Sequence, residues 1–251
     1  RRATSANNST VTFFEVTFLA SLVIANEAGV EMMILETGLG GRLDATRVSK
    51  ADVCILTSIA LEHTDILGSQ PTKIAREKAA IARAFRPLVV RAPDDQEVLE
   101  AIEETASNAG MKLLCEEVGP ADLVMVNIPT GTTYREEAKL LVNAVWPYLA
   151  GVNTQLEPDT SNCIWPARMQ FVESQRSFEP HFLLDGAHNP SGLERAVEEL
   201  HHRPEVQRGD WVLLFGTSPQ VDLEEAVSHI IQLCTSNPPS GIILSEPQGG
   251  R

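Results

Sequence analysis

Apolar and polar positions divide the chain into short apolar runs separated by longer amphipathic stretches. The runs are bounded by turn formers and are too short for helices, so they predict buried strands, while the stretches repeat apolar residues at helical spacing. In chain order, the first half is predicted to contain a helix over 12–28, a strand over 32–35 that ends at Glu36, a strand over 52–57, a helix over 72–85, a strand over 87–92, a helix over 95–110, strands over 112–115 and 123–128, and a helix over 134–149.

A change of pattern follows, because the periodicity stops at 150–164 and turn formers dominate there. Beyond this stretch, the pattern predicts strands over 181–185, 211–216 and 241–245 and helices over 191–202 and 222–235. Alternating strands and helices are typical of an α/β fold with a mostly parallel sheet and covering helices. We therefore expect one such domain over 1–150, a linker over 151–164, and a smaller, truncated α/β domain of Rossmann-like type over 165–251.

Composition narrows the class of protein. The chain has 251 residues, of which 43% are hydrophobic and 22% charged, and no apolar run approaches the roughly 20 residues of a membrane span. A formal net charge of −14 argues against nucleic-acid binding, which requires a clustered cationic face. The four cysteines have no C-x-x-C spacing and no signal peptide is recognisable. We expect a cytoplasmic monomer that binds neither membranes nor nucleic acid.

Polar residues follow three of the predicted strands at their C-terminal ends. Ligands of open α/β sheets bind at this edge, and glycines there allow close approach of the backbone. Three such clusters together suggest one cleft shared between the two domains. The clusters are Glu36 with Gly38, Gly40 and Gly41; His63 with Asp65; and Asp185 with His188 and Asn189.

Each candidate also has an ordinary structural interpretation. His63 is typical of a hydrogen-bonded loop histidine, and Lys78 of a solvated helix lysine. Asp185 and Asn189 are favoured residues for a helix cap, and Arg168 is typical of a surface cation. Taken singly, none of these residues identifies a function.

Taken together, four stretches resemble successive motifs of a known family. They closely resemble, in order, the motifs of folylpolyglutamate synthase and the related dihydrofolate synthase, which are Mur ligases. The resemblance implies a partial Mur ligase central (ATPase) domain followed by a truncated C-terminal domain. The stretches are TFFEVTFLASLVIANEAGVEMMILETGLGGRLDATRV, ILTSIALEHTDILGSQPTKIAREKAAI, WPARMQ and LLDGAHNPSG.

The resemblance implies an ATP-dependent amide ligase. ATP would phosphorylate a carboxylate of a reduced folate, and the amine of L-glutamate would then attack the acyl phosphate. Two Mg²⁺ ions and an arginine would offset the charge of the transferring group. By resemblance, Glu36 and His63 are magnesium ligands, carbamylated Lys78 holds the second magnesium, Arg168 contacts the γ-phosphate, Asp185 meets the ribose, and His188 and Asn189 lie near the phosphates. Lys78, Arg168 and His188 are the expected catalytic residues.

The chain departs from the family pattern at several points. The glycine-rich phosphate-binding loop of the family ends in Gly-Lys and should precede residue 10, yet no Gly-Lys pair occurs in the chain. Ala80, Ala167 and Arg47 replace a glycine of EKAGI, the glycine of WPGR and the asparagine of DATN. Arg47 is expected to add a cation beside the cleft. We expect a partial chain that binds ATP poorly and is inactive by itself.

Other functions have weaker support. LETGLGG is similar to the acidic glycine loop of methyltransferases that bind S-adenosylmethionine, but Arg42 replaces their third glycine. A dinucleotide fingerprint fails because Leu43 stands where its last glycine is needed. A catalytically dead remnant or binding protein of the same family, and dihydrofolate synthase activity, stay open as alternatives.

Overall fold

The chain folds as two compact units. The computed structural model describes residues 11–61, 64–110, 117–149, 151, 155, 158–160, 162–176, 179–217 and 223–245. The first unit comprises Arg1–Asn127 and Leu141–Leu156, and the second comprises Ile128–Leu140 and Glu157–Arg251.

Among its described residues, the first unit is built on a parallel sheet of three strands in the order β1-β2-β3. The central strand, β2, is buried at three successive positions, which explains why its sequence is a continuous apolar run. The elements are α1 (Phe13–Glu27), a 3-10 helix (Ala45–Val48), β1 (Cys54–Leu56), α2 (Thr64–Leu67), α3 (Pro71–Ala79), β2 (Pro87–Arg91), α4 (Gln96–Ala106) and β3 (Asp122–Val126).

The core of the first unit lies between this sheet and helices α3 and α4. Helix α4 begins at Asp95, whose carboxylate accepts hydrogen bonds from the N–H groups of Glu97 and Val98. The apolar residues of α3 and α4 then recur at helical spacing and pack on β1 and β2. The fully buried side chains include Ile74, Ala75, Ala79, Leu88, Val90 and Ile102.

Two sequence-based predictions for this unit need correction. Residues 32–35 form no strand, and Ile34 is 93% exposed. A strand requires a hydrogen-bonded neighbour, and no described residue pairs with this segment. Glu36 therefore follows an irregular segment. The helix predicted over 72–85 ends at Ala79, because the following amides of Ile81 and Ala82 bond three residues back in a tightened turn.

Helix α5 (Tyr134–Val145) contains one of the three points at which the chain passes between the two units. It is followed by a 3-10 helix, Trp146–Tyr148. The prediction placed residues 128–140 in the first domain, whereas here they belong to the second unit. The predicted linker lies partly outside the described residues, so the domain boundaries at 150 and 165 stay a prediction.

The second unit combines an antiparallel and a parallel strand pair. Strands β4 (Gln170–Val172) and β5 (Phe182–Leu184) are antiparallel, and β4 was not predicted. Strands β6 (Val212–Gly216) and β7 (Gly241–Ser245) are parallel, and helices α6 and α8 pack beside them. The helices are α6 (Pro190–His201), α7 (Pro204–Arg208) and α8 (Leu223–Ser236).

The predicted α/β fold with a mostly parallel sheet and covering helices is confirmed. None of the helices in the described part of the chain has the length and apolar character needed to cross a membrane.

The alanine of WPAR lies in a strained turn, which allows a test by substitution. Ala167 has φ of +52°, in the left-handed region that disfavours L side chains. Ala167→Gly should raise the free energy of unfolding by about 0.5–1 kcal/mol, because relief of strain of roughly 1–2 kcal/mol outweighs the entropic cost of glycine. Urea unfolding followed by circular dichroism measures the change.

Ala80 is the matched control, since it also replaces a family glycine. Its φ is −66° and its ψ is −1°, so alanine is unstrained there. Ala80→Gly should therefore lower the free energy of unfolding by roughly 0.5–1 kcal/mol. Changes of the same sign in the two variants would contradict the backbone assignment.

Candidate functional site

The glycine loop, residues 37–47, folds around a buried carboxylate. Asp44 Oδ2 accepts hydrogen bonds from the N–H groups of Gly38 at 2.7 Å and Leu39 at 3.1 Å. Asp44 Oδ1 accepts from the N–H of Thr46 at 2.9 Å and from its hydroxyl at 2.7 Å. The loop is thus held by its own acid, which is only 9% exposed.

The glycine loop docks on the last turn of α3. The N–H of Arg42 donates to the carbonyl of Glu77 at 3.0 Å, and Arg42 Nε donates to the Glu77 carboxylate at 2.8 Å. A Cβ on Gly41 would lie 2.7 Å from the carbonyl oxygen of Lys78. The loop backbone can approach Lys78 this closely because residue 41 has no side chain.

Arg47 is buried, contrary to the expectation that it adds a cation beside a cleft. Arg47 is only 3% exposed, and its Nε donates a hydrogen bond to the carbonyl of Ala80 at 2.8 Å. Arg83 donates in turn to the carbonyls of Arg47 and Ser49, both at 3.0 Å. A cation is favourable here because the last carbonyls of a helix carry partial negative charge.

The candidate metal ligands of the first unit are only partly described. Glu36 is exposed, and among the described residues its carboxylate makes no hydrogen bond or ion pair, so it is open to a hard divalent cation. Lys78 lies in the last turn of α3 with Nζ 3.5 Å from the carbonyl of Ser58. His63 lies outside the described residues. Within the described part of the chain, no three His, Cys, Asp or Glu side chains form a metal-binding group.

A pocket of about 290 Å³ opens at the carboxyl edge of β1 and β2 in the first unit. Its walls include Ser58, which also contacts Lys78, and the charged residues Arg91 and Asp94. This is the edge of a parallel sheet at which α/β proteins bind ligands. Lys78 therefore contacts one of the residues that line a partly polar pocket.

In the second unit, Asp185 directly follows β5 and is held by two backbone amides. Its carboxylate accepts from the N–H of Met169 at 2.9 Å and from the N–H of Ala187 at 2.8 Å. The pairing of β4 with β5 brings the WPAR turn to the loop over 185–189, and the N–H of Gly186 donates to the carbonyl of Ala167 at 2.9 Å. Each oxygen of Asp185 keeps a lone pair for a further donor.

The other predicted residues of this unit lie in the same cluster. Arg168 is exposed, and a Cβ on Gly186 would lie 2.9 Å from its Nη1. His188 is exposed, with Nδ1 3.0 Å from the carbonyl of Gly186. Asn189 caps α6 by accepting from the N–H of Gly192 at 2.9 Å. The structure thus brings Arg168, Asp185, His188 and Asn189 together in the second unit.

Sequence reasoning missed Tyr134, which belongs to this cluster. Its hydroxyl lies 3.5 Å from the carbonyl of Gly192, in the first turn of α6. Burial, and then the negative charge of Asp185, raise the pKa of Tyr134 to about 12. The T-x-x-E spacing of Thr133 and Glu136 signals a helix start, but nothing in the sequence places Tyr134 beside Asp185.

The close packing at Gly41 gives a direct test of the loop contact. Gly41→Ala would place Cβ 2.6 Å from Ile81 Cγ2 and 2.7 Å from the Lys78 carbonyl oxygen. We expect it to lower the free energy of unfolding by about 1–3 kcal/mol, as overpacking does. Gly241→Ala is the control, because its nearest atoms would be 3.9 Å away. Equal effects of the two substitutions in urea unfolding would show that the loop does not dock as described.

Comparison with known proteins identifies relatives of this chain. The chain is 34% identical over 212 residues to dihydrofolate synthase/folylpolyglutamate synthase of Escherichia coli strain K12. The matched region covers 79% of the chain and 49% of that relative. Another relative of the same name, from Bacillus subtilis strain 168, is 33% identical over 218 residues, covering 76% of the chain and 50% of the relative. No protein-family model matches the chain.

Solved structures agree on the fold. FolC of Escherichia coli in complex with ADP matches with a TM-score of 0.66 and 23% identity, covering 96% of this chain and 69% of that chain. A bifunctional folylpolyglutamate synthase/dihydrofolate synthase with Mn, AMPPNP and L-glutamate bound matches with a TM-score of 0.65 and 23% identity, covering 96% and 70%. While it spans about half the length of the relatives it matches, the chain belongs to the dihydrofolate synthase and folylpolyglutamate synthase family.

Proposed function

We propose that the protein containing this chain is an ATP-dependent amide ligase that adds L-glutamate to a reduced folate. The observation that carries the proposal is the 34% identity over 212 residues to a relative of that name. The cluster of the second unit supports it, because the resemblance assigns its residues Arg168, Asp185, His188 and Asn189 to the nucleotide. The candidate nucleotide contacts would then come from the second unit and the candidate metal contacts from the first.

The nucleotide contacts would come from the second unit. A carboxylate held by two backbone amides, as in Asp185, is fixed in place and can accept a hydrogen bond from a ribose hydroxyl. Arg168 would contact the γ-phosphate, with His188 and Asn189 near the phosphates at the start of α6. The related structures with ADP and with AMPPNP support a nucleotide in this role.

The metal contacts would come from the first unit. Glu36 and His63 would bind one Mg²⁺, and Lys78 would hold the second. An unmodified ammonium group has three donors and no acceptor, so it cannot bind a cation. Reaction of the neutral Lys78 amine with CO₂, with loss of a proton, gives a carbamate whose oxygens suit Mg²⁺. The Mn bound in a related structure supports a divalent ion in general.

The reaction would proceed in two steps. The γ-phosphoryl group of ATP is transferred to a folate carboxylate, which gives an acyl phosphate and ADP. The glutamate amine then attacks the acyl carbon, phosphate leaves, and an amide forms. The protein contributes positioning and charge, which dominate phosphoryl-transfer catalysis. The 251 residues contain no Gly-Lys pair of the kind that ends the family's phosphate-binding loop.

Two further candidates follow from particular observations. The name of the Escherichia coli relative combines two activities, so dihydrofolate synthase activity is the second candidate. The departures from the family pattern at Ala80, Ala167 and Arg47 favour a third candidate, a catalytically dead member of the family that binds a partner.

A ligation assay distinguishes these functions. The chain would be compared with a chimera that carries, ahead of residue 1, the amino-terminal segment of the Escherichia coli relative with its phosphate-binding loop. The chain alone should release no folate- and glutamate-dependent ADP, because the phosphates lack their main positioning contacts. The chimera should release ADP and form the glutamyl amide. Turnover with dihydropteroate would identify dihydrofolate synthase activity, and a folded chimera inactive with both acceptors would favour the dead member.

Arg168 can be tested in the same chimera. Arg168→Ala should lower kcat by about 100-fold or more with little change in KM for folate, since a charge that acts on the transferring group matters most in the transition state. Arg176→Ala is the matched control, because Arg176 is also exposed. Its Nη1 forms an ion pair with the carboxylate of Glu179 at 3.2 Å. A kcat within about twofold of the parent, worth only roughly 0.4 kcal/mol, would make Arg168 a surface residue.

Carbamylation of Lys78 has a readout independent of turnover. With ¹³C-labelled bicarbonate and Mg²⁺, we expect a carbamate carbon resonance that disappears in Lys78→Arg. Lys73→Arg is the control, because Lys73 is an exposed lysine of the same helix. Retention of the resonance in Lys78→Arg would refute the modification at this residue.

A further inference from the structure

The start of α5 is attached to α6 within the second unit. Thr133 and Glu136 form the local cap of α5, with the Thr133 N–H donating to Glu136 Oε2 at 2.9 Å. This backbone hydrogen bond lowers the pKa of the Glu136 carboxyl. A second acid comes from α6, because the N–H of Tyr134 donates to Glu199 Oε2 at 3.1 Å. Glu199 is only 9% exposed, so this carboxylate serves α5 from another helix.

Arg195 strengthens the same attachment. Its guanidinium carbon lies 5.1 Å from the centroid of the Tyr134 ring, in a cation–π contact. The guanidinium also donates to the carbonyl of Thr132 and lies 3.7 Å from the Glu137 carboxylate. The side chains of Arg195 and Glu137 are 22% and 17% exposed, so the contact is partly shielded from water.

Tyr134 stands between this attachment and the candidate nucleotide contacts. Its hydroxyl is 3.5 Å from the carbonyl of Gly192, whose own N–H is capped by Asn189. Its pKa of about 12, raised by burial and by Asp185, means that the phenol stays neutral and keeps its proton near neutral pH.

We propose that Tyr134, held by Arg195 and Glu199, is a positioning residue that fixes the 185–189 loop and the first turn of α6 for nucleotide binding. The inference rests on the proposed function for the identity of the ligand and on the described contacts for the positioning. Tyr134 acts through Gly192, whose N–H is bound by Asn189. It is not assigned a contact with the reacting atoms.

Amide hydrogen exchange of the 251-residue chain tests the positioning. Tyr134→Leu removes the ring and the hydroxyl, and should speed exchange at Ala187 and Gly192 by about tenfold relative to the buried Ile230 in α8, because the loss of stability is local. Tyr134→Phe keeps the ring over Arg195 and should give a smaller change. Tyr148→Leu is the matched control, since Tyr148 lies in a 3-10 helix of the first unit.

Exchange that rises equally at Ala187, Gly192 and Ile230 would mean general destabilisation and would overturn the proposal. Exchange that does not rise at Ala187 and Gly192 would overturn it as well. Restoration of protection in Tyr134→Phe relative to Tyr134→Leu supports a role for the ring.

Titration with ADP, followed by the amide resonances of 185–189, connects the positioning to the ligand. Tyr134→Leu should raise the dissociation constant for ADP by about fivefold or more over the parent chain, whereas Tyr148→Leu should not, because only a misplaced loop lowers the binding-competent fraction. Equal affinity in parent and Tyr134→Leu would overturn the nucleotide role of Tyr134. If ADP shifts none of these resonances in the parent chain, the proposed nucleotide role of Asp185 fails, and the exchange data still decide the positioning.

Discussion

The contact between the glycine loop and the last turn of α3 is the constraint on which the candidate site of the first unit depends. The final carbonyls of a helix have no partners within the helix, and here the loop N–H of Arg42 satisfies the carbonyl of Glu77. Arg42 reaches Glu77 and Arg47 reaches Ala80, on either side of Lys78. This is possible only because Gly41 leaves no side chain between the two backbones. Glu36 and Lys78, distant in sequence, are thus tied to one local framework.

In the second unit, the stabilising contacts lie at the starts of helices and not at their ends. Helix starts carry unpaired N–H groups and partial positive charge, so acids and amide oxygens are stabilising there. Asn189 caps α6 from within the sequence, whereas Glu199 caps α5 from another helix. Asp185 accepts two loop amides in the same way. The strongly acidic composition of the chain is therefore used in part to hold the backbone around the candidate nucleotide contacts.

The structural effect of each departure from the family pattern depends on where the backbone places the residue. Ala80 and Ala167 are the same chemical change, glycine to alanine, and cannot be ranked from the sequence. Their φ values of −66° and +52° make the first unstrained and the second strained. Arg47 is a third departure, and its charge is placed inside the first unit against a helix end instead of in a cleft. Each case is decided by conformation and burial, which a residue type alone does not specify.

The sequence by itself predicted the longer helices, every described strand except β4, and the family, because helical hydrogen bonds are local and both buried strands and family motifs are continuous stretches. The sequence also identified Asp185, His188 and Asn189 of the 185–189 loop as candidate site residues. Tertiary structure decided the rest. Residues 32–35 do not form a strand and β4 pairs antiparallel with β5, since strands depend on partners remote in sequence. The contact of the Tyr134 hydroxyl with the Gly192 carbonyl is likewise non-local, and its 58-residue separation leaves no periodic signal.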